Sequence, residues 1–202
     1  MSDTKVDWDY VHRCNFEMAA FSANNWIAKA RNLFESAKRL EPEVVRVWES
    51  YREKAKNMGA ALLPDHFQGP YFMLLAFATE NLLKAAAIAR NGSQYKGDFS
   101  TSNKFPRELQ NHDLAELATL VGLSYSVEEE DLLRRLTRSA IWFGRYPAPL
   151  KYAEMSGKTE FSDGNEYMVS WFGGNDIERL NAFILGLPTR LGFNEGCWEN
   201  AA

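Results

Sequence analysis

Side chains suited to metal or redox chemistry are scarce in this chain: 202 residues hold two cysteines and three histidines. Cys14 and Cys197 stand near opposite ends and form no Cys-x-x-Cys pair, which excludes a disulfide framework and a zinc ribbon. They read as free thiols in a reducing compartment. A di-metal site in a helical bundle needs Glu-x-x-His pairs facing the core. The residues three before His12, His66 and His112 are Asp9, Leu63 and Leu109, and His-Glu-x-x-His is missing too. No metal and no other cofactor is therefore expected. No Gly-x-Ser-x-Gly elbow is present. Gly157-Lys158-Thr159 has the ending of a phosphate loop, but the first glycine of that motif would fall at Tyr152.

Charge of one sign is also in short supply. Lys and Arg number 23 against 27 Asp and Glu, a net charge of −4 that supplies no general field for nucleic acid. The imbalance belongs to residues 151–202, with 4 basic and 8 acidic groups, whereas 1–64 and 65–150 are each within one charge of neutral. The opening residues are polar and acidic rather than a basic and apolar leader, so a cytoplasmic protein is expected. Tyr71 to Ala89 has the length of a membrane span, but Thr79, Glu80, Asn81 and Lys84 fall inside it. A buried core helix and no membrane association is the expectation.

What is present is a globular composition, 46% apolar and 25% charged, suited to a single domain over 1–202. Phe16, Ala19, Ala23, Trp26, Ala30 and Ala37 recur at helical spacing and predict a helix from Tyr10 to Leu40. Glu41-Pro42 breaks it, and a second helix runs to Asn57-Met58-Gly59. Asp65 with Gln68 opens a third, regular from about Tyr71, which Asn91-Gly92 ends in a turn. Ser93 to Asn111 reads as a long polar loop. A short helix follows from His112 to about Val121, capped by Asn111 or Asp113. Ser126-x-x-Glu129 starts a helix of about twenty residues that ends at Arg145-Tyr146-Pro147. Its acidic run Glu128 to Asp131 reads as a solvated helix start, with Glu130/Arg134 and Asp131/Arg135 as i,i+4 pairs. Residues 150 to 174 show nothing strand-like, and a last helix runs from Asn175 to Pro188. The fold class is all-α: an up-and-down bundle of about five to six helices, with N-terminal helices in 1–62, a core in 65–149 and a C-terminal appendage in 150–202.

Glu80 and Lys84 are spaced i,i+4 in the most apolar helix, where an unpaired charge is costly. They form either a paired structural couple or a pair of which one member reaches a ligand or partner. Arg134, Arg138 and Arg145 recur at four and seven residues, near one helix face. Ala76 to Lys84 (Ala-Phe-Ala-Thr-Glu-Asn-Leu-Leu-Lys), then Asn111-His112-Asp113-Leu114, then Arg145-Tyr146-Pro147, in that order, resemble the HEPN domains over about Phe67 to Pro149. The resemblance implies a helical bundle, often a homodimer, of a kind found in toxin–antitoxin, phage-defence and RNA-processing systems. Many HEPN proteins are metal-independent ribonucleases with an R-x(4–6)-H motif, and here Arg107 and His112 alone meet that spacing. In that reading both are catalytic, an imidazole exchanging protons while a guanidinium steadies the phosphate. Arg107, however, follows Pro106 in the polar stretch, whereas the family's motif lies on a bundle helix.

The expectation is thus a non-catalytic HEPN-like module that binds a partner protein, itself or a nucleotide-type ligand. Its candidate binding residues are Glu80, Lys84, His112, Arg138, Arg145 and Tyr146. The alternatives are a ribonuclease acting on RNA through Arg107 and His112, and a small-molecule or nucleotide sensor with an aromatic pocket around Tyr71, Trp142 and Trp171.

Overall fold

A computed structural model describes residues 6–149, 151, 155, 157–168 and 171–194; Cys197 lies outside them. The fold is an all-α bundle with six α-helices among the described residues. These are α1 (Trp8–Ala20), α2 (Ala23–Lys56), α3 (Gln68–Ser102), α4 (Leu114–Leu120), α5 (Val127–Arg138) and α6 (Asp176–Arg190). A 3-10 turn, Arg107–Gln110, precedes α4, and a π-helical turn, Ser139–Phe143, extends α5. One hydrophobic core runs through α2 to α6, from Ile27 to Leu191.

The centre is α3. Tyr71, Phe72, Leu75, Ala76, Ala78, Leu82, Leu83 and Ala85 are fully buried, so the apolar stretch of membrane-span length is enclosed by α2, α4, α5, α6 and the π-turn. Asp65 accepts a hydrogen bond from the Gln68 amide at 3.0 Å, as its spacing implies. The end of α3 corrects the expected turn and loop. Asn91 and Gly92 lie inside the helix, which runs on to Ser102 and stops at Asn103 in the left-handed conformation, φ 53°. Tertiary contacts outweigh the glycine's weak helix propensity. Tyr95 is buried, the rings of Phe99 and Phe16 lie 4.8 Å apart, and Lys96 pairs with Glu17 at 3.2 Å.

The N-terminal break is also displaced. The chain turns at Phe21-Ser22, and α2 passes straight through Pro42. Trp26 Nε1 donates to the Ala20 carbonyl at 2.9 Å and Asn25 Nδ2 to the Met18 carbonyl at 3.0 Å, which satisfies the last carbonyls of α1. A proline inside a helix costs about 3 kcal/mol. Its neighbour Glu41 holds that turn in place by accepting from Tyr71 Oη (2.9 Å), Asn181 Nδ2 (3.0 Å) and Lys38 Nζ (2.6 Å). Burial pushes the Glu41 carboxyl up, but these three donors outweigh it and hold it below the ordinary value.

The capping box forms as expected, Ser126 and Glu129 bonding each other's backbone. The acidic run behind it is solvated only at its start, where Glu128 is exposed and Glu129 pairs with Arg190 at 2.7 Å; its second half turns inward. Glu130 is fully buried; it accepts from Arg134 Nη2 at 2.9 Å and from the Ser162 amide at 3.0 Å, and the Ser162 hydroxyl donates to it as well. Asp131 and Asp176 both bind the buried Arg135, whose guanidinium lies 4.7 Å from the Phe172 ring centre. Ser162 belongs to the connection of a small antiparallel hairpin, β1 (Lys158–Glu160) and β2 (Glu166–Met168), with Thr159 opposite Tyr167. This corrects the reading of 150–174 as free of strands and gives Gly157-Lys158-Thr159 a place at the start of β1. Asp163-Gly164 makes the turn, with Gly164 at φ +77°. The last helix reaches Arg190, two residues past Pro188.

Burial raises the Glu130 carboxyl, yet the Ser162 and Arg134 donors more than reverse that and set it below its usual range. Asp176 is depressed in the same way by Arg135 and the Gly173 amide. A depressed carboxyl contributes stability above its unfolded pKa that is lost as pH falls through the folded one. The unfolding free energy is therefore expected to drop as pH falls below about 4.3. Glu130→Gln should lose about 1–3 kcal/mol at neutral pH and flatten that acid limb in denaturant titrations. A second test uses glycines: a Cβ on Gly144 would lie 2.4 Å from Met73 Cβ and 3.0 Å from the Gly69 carbonyl, while one on Gly97 meets nothing within 4 Å. Gly144→Ala should cost about 1–3 kcal/mol and Gly97→Ala should add up to about 1 kcal/mol, read from thermal unfolding.

Candidate functional site

In the buried middle of α3 the Lys84 ammonium donates to Glu80 Oε1 at 2.7 Å, both side chains being less than a tenth exposed. Thr79 beside them returns its hydroxyl to the Leu75 carbonyl. Lys84 Nζ also lies 5.9 Å from the Trp26 ring centre, so the ammonium is shared between a carboxylate and an aromatic face. The third member comes from 32 residues on. His112 Nδ1 is 3.1 Å from both carboxylate oxygens of Glu80.

His112 is held by its neighbours. Leu109 is buried under the 3-10 turn, and Asn111 accepts from the Asp113 amide and donates to Glu116. Asp113 caps α4 by accepting from the amides of Ala115 and Glu116, and the Leu114 amide donates to Thr137 Oγ1. A carboxylate only accepts, so Nδ1 carries the proton toward Glu80 and Nε2 is turned outward. The His112 side chain is 60% exposed. The site thus combines a buried, neutralised carboxylate with an oriented, accessible imidazole.

The other candidates lie apart from this triad. Arg107 borders an open depression of about 520 Å³ with Glu108, Gln110, Asn111 and Glu116, which His112 does not line. Arg138 is half-buried at the end of α5. Arg145 donates to the carbonyls of Ala140 and Ile141 in the π-turn, at 2.6 and 2.7 Å, and lies over the Tyr146 ring. With Tyr146, Asp65 and His66 it lines a depression of about 360 Å³ near the N-terminal end of α3. Gly144 packs there on Gly69, eleven residues before Glu80, or about 16 Å along the helix axis. Glu80, Lys84 and His112 are brought together; Arg145 and Tyr146 form a second group.

The three proposed pocket aromatics are used in packing. Tyr71 is enclosed and bonded to Glu41, while Trp142 is buried under Trp171, ring centres 5.4 Å apart. Among the described residues no three His, Cys, Asp or Glu side chains are grouped to hold a metal ion. Sequence reasoning missed an apolar depression of about 290 Å³ lined by Ala19, Asn25, Trp26, Lys29 and Asn81. Its walls come from three helices, so that only the Asn25, Trp26 and Lys29 part, on α2, has a helical spacing.

No family model, curated protein or solved structure matches the chain.

Removing one member of a buried ion pair leaves the other uncompensated, at about 3–5 kcal/mol. Glu80→Ala should therefore destabilise by that amount, and joint replacement of Glu80 by Leu and Lys84 by Met by far less. His112→Ala loses one hydrogen bond at an exposed ring and should cost under about 3 kcal/mol. Urea unfolding of the three variants measures all of this; equal losses for the single and joint replacements would contradict it.

Proposed function

We propose that this protein is a HEPN-like helical module that binds another polypeptide rather than cutting RNA. The observation that carries the reading is the division of labour around Glu80. Its one carboxylate takes both the Lys84 ammonium and the His112 imidazole, while Arg107 borders a separate depression. A ribonuclease of the R-x(4–6)-H kind needs guanidinium and imidazole converging on one phosphodiester. Here the charge that would steady a protonated imidazole is already neutralised by an ammonium 2.7 Å away. The three groups instead pin the start of α4 to α3 and leave a hydrogen-bonding ring edge at the surface. Binding modules of this sort suit one half of a toxin–antitoxin or defence pair, with a second copy or a partner protein as the occupant.

A ribonuclease reading keeps one specific support: the imidazole is oriented by a carboxylate with its outer nitrogen accessible, the arrangement of a general base. Incubating the purified chain with mixed RNA separates the two. The expected result is no cleavage above buffer for the native chain, for Arg107→Ala or for His112→Ala. Cleavage by the native chain that disappears in both variants would establish the nuclease instead.

A further inference from the structure

We infer that the apolar depression between α1, α2 and α3 is a binding site for a free aromatic α-amino acid, its ring against Trp26, its carboxylate on Lys29 and its ammonium on the side-chain oxygens of Asn25 and Asn81. The inference goes beyond the binding-module reading and stands or falls separately from it.

The depression holds about 290 Å³ and is lined by Ala19, Asn25, Trp26, Lys29 and Asn81. That is the lower end of the range of ligand pockets, room for one ring and a short polar head. Its surface is mostly apolar. The main wall is an indole whose polar group is already engaged, since Trp26 Nε1 donates to the Ala20 carbonyl at 2.9 Å. Lys84, itself buried, lies toward the same ring, 5.9 Å from its centre. What Trp26 offers a ligand is therefore hydrocarbon and π surface, the partner of a second aromatic ring in an offset or edge-on contact. Ala19 ends at Cβ and leaves that ring its space.

The polar groups around this wall are those the fold leaves over. Asn81 Nδ2 donates to the Phe77 carbonyl at 2.6 Å, and Asn25 Nδ2 donates to the Met18 carbonyl at 3.0 Å. A carbonyl only accepts, so the nitrogen of each carboxamide is the engaged end. Each oxygen is left without a partner among the described residues. Two acceptors at one opening call for a donor. Lys29 is exposed, is the one charged side chain on the lining, and has no ion-pair or hydrogen-bond partner among the described residues. It calls for an anion, and α2 adds to that demand, because its first turn contains no acid and Ser22 gives it no side-chain cap.

Spacing ties both demands to one ligand head. Asn25 and Lys29 stand i,i+4 on α2, on one side of the helix and about 5–6 Å apart at Cβ. An ammonium and a carboxylate carried on a single carbon serve such a pair together. Trp26 follows Asn25 directly and sets the indole beside that head, and Asn81 meets it from α3. A quaternary ammonium ligand fits less well, because such cations are taken by cages of several aromatic walls. Here there is one, and Lys84 already faces it.

Titration of the nitrogen-15-labelled full chain with L-phenylalanine, followed by NMR of the indole N–H groups, tests this. The Trp26 signal is identified as the one lost in Trp26→Phe. It is expected to move with a dissociation constant on the order of 0.1–1 mM, as suits a ligand of about a dozen non-hydrogen atoms in an open site. L-Alanine lacks the ring, phenethylamine the carboxylate and N-acetyl-L-phenylalanine the ammonium, and each should bind at least about tenfold more weakly. Lys29→Glu should weaken L-phenylalanine by at least about tenfold with an unchanged melting temperature, because that side chain is exposed. Met58→Ala, an exposed apolar side chain past the far end of α2, should leave binding unaltered. A Trp26 signal that does not move at about 10 mM L-phenylalanine, binding indifferent to Lys29→Glu, or equal binding of the acetylated compound overturns the inference.

Discussion

Everything in this fold answers to the enclosure of α3. Helices and the π-turn cover it on all sides through its middle turns, so any polar side chain placed there must be satisfied from within the protein. Glu80 and Lys84 meet that demand together. An ion pair so deep does not by itself make a fold stable, since removing two charges from water offsets most of their attraction. It makes the arrangement specific. A carboxylate with two oxygens and one lysine retains accepting capacity, and the chain segment that supplies a donor is thereby told where to lie. His112 is that donor, and the short α4 is placed by it.

The same logic recurs at the periphery with the charges reversed in role. Arg135 is buried, and two carboxylates from different elements converge on it. Glu130 is buried and draws in Arg134 and Ser162. Among the described residues between the π-turn and α6 the regular structure is a hairpin of three-residue strands. The attachment of this stretch to the bundle depends on these charged anchors and on Phe172 stacked against Phe72 at 4.2 Å. Acid weakens such anchors before it weakens the apolar core, because protonated carboxyls lose the charge that the guanidinium groups were placed to meet.

Local signals in the sequence were legible wherever the determining contact is itself local. The Ser126/Glu129 capping box, the Asp113 cap and the i,i+4 pairs of Glu80/Lys84, Glu130/Arg134 and Asp131/Arg135 all form. Where a distant residue decides, the local signal misleads. Pro42 does not end a helix because Tyr71 and Asn181, from two other helices, hold Glu41 in place. Gly92 does not end α3 because Phe16 and Glu17 cover the next three turns. Glu130 and Asp131 look solvated until Ser162 and Arg135 are set beside them. At the candidate site the same division holds: Glu80 and Lys84 announce themselves as charges in an apolar helix, whereas nothing in the spacing joins either to His112.

A carboxylate on a histidine ring is the shared ancestor of two uses, proton transfer and attachment, and what separates them is the rest of the carboxylate's company. With Glu80 neutralised by Lys84, and Lys84 in turn facing Trp26, the imidazole is fixed at the end of a chain of contacts that begins in the core and crosses from α2 through α3 to α4. Trp26 is also a wall of the depression beside α1 and ties the α1 terminus through its indole N–H. The polar triad and the depression between α1, α2 and α3 therefore share one residue.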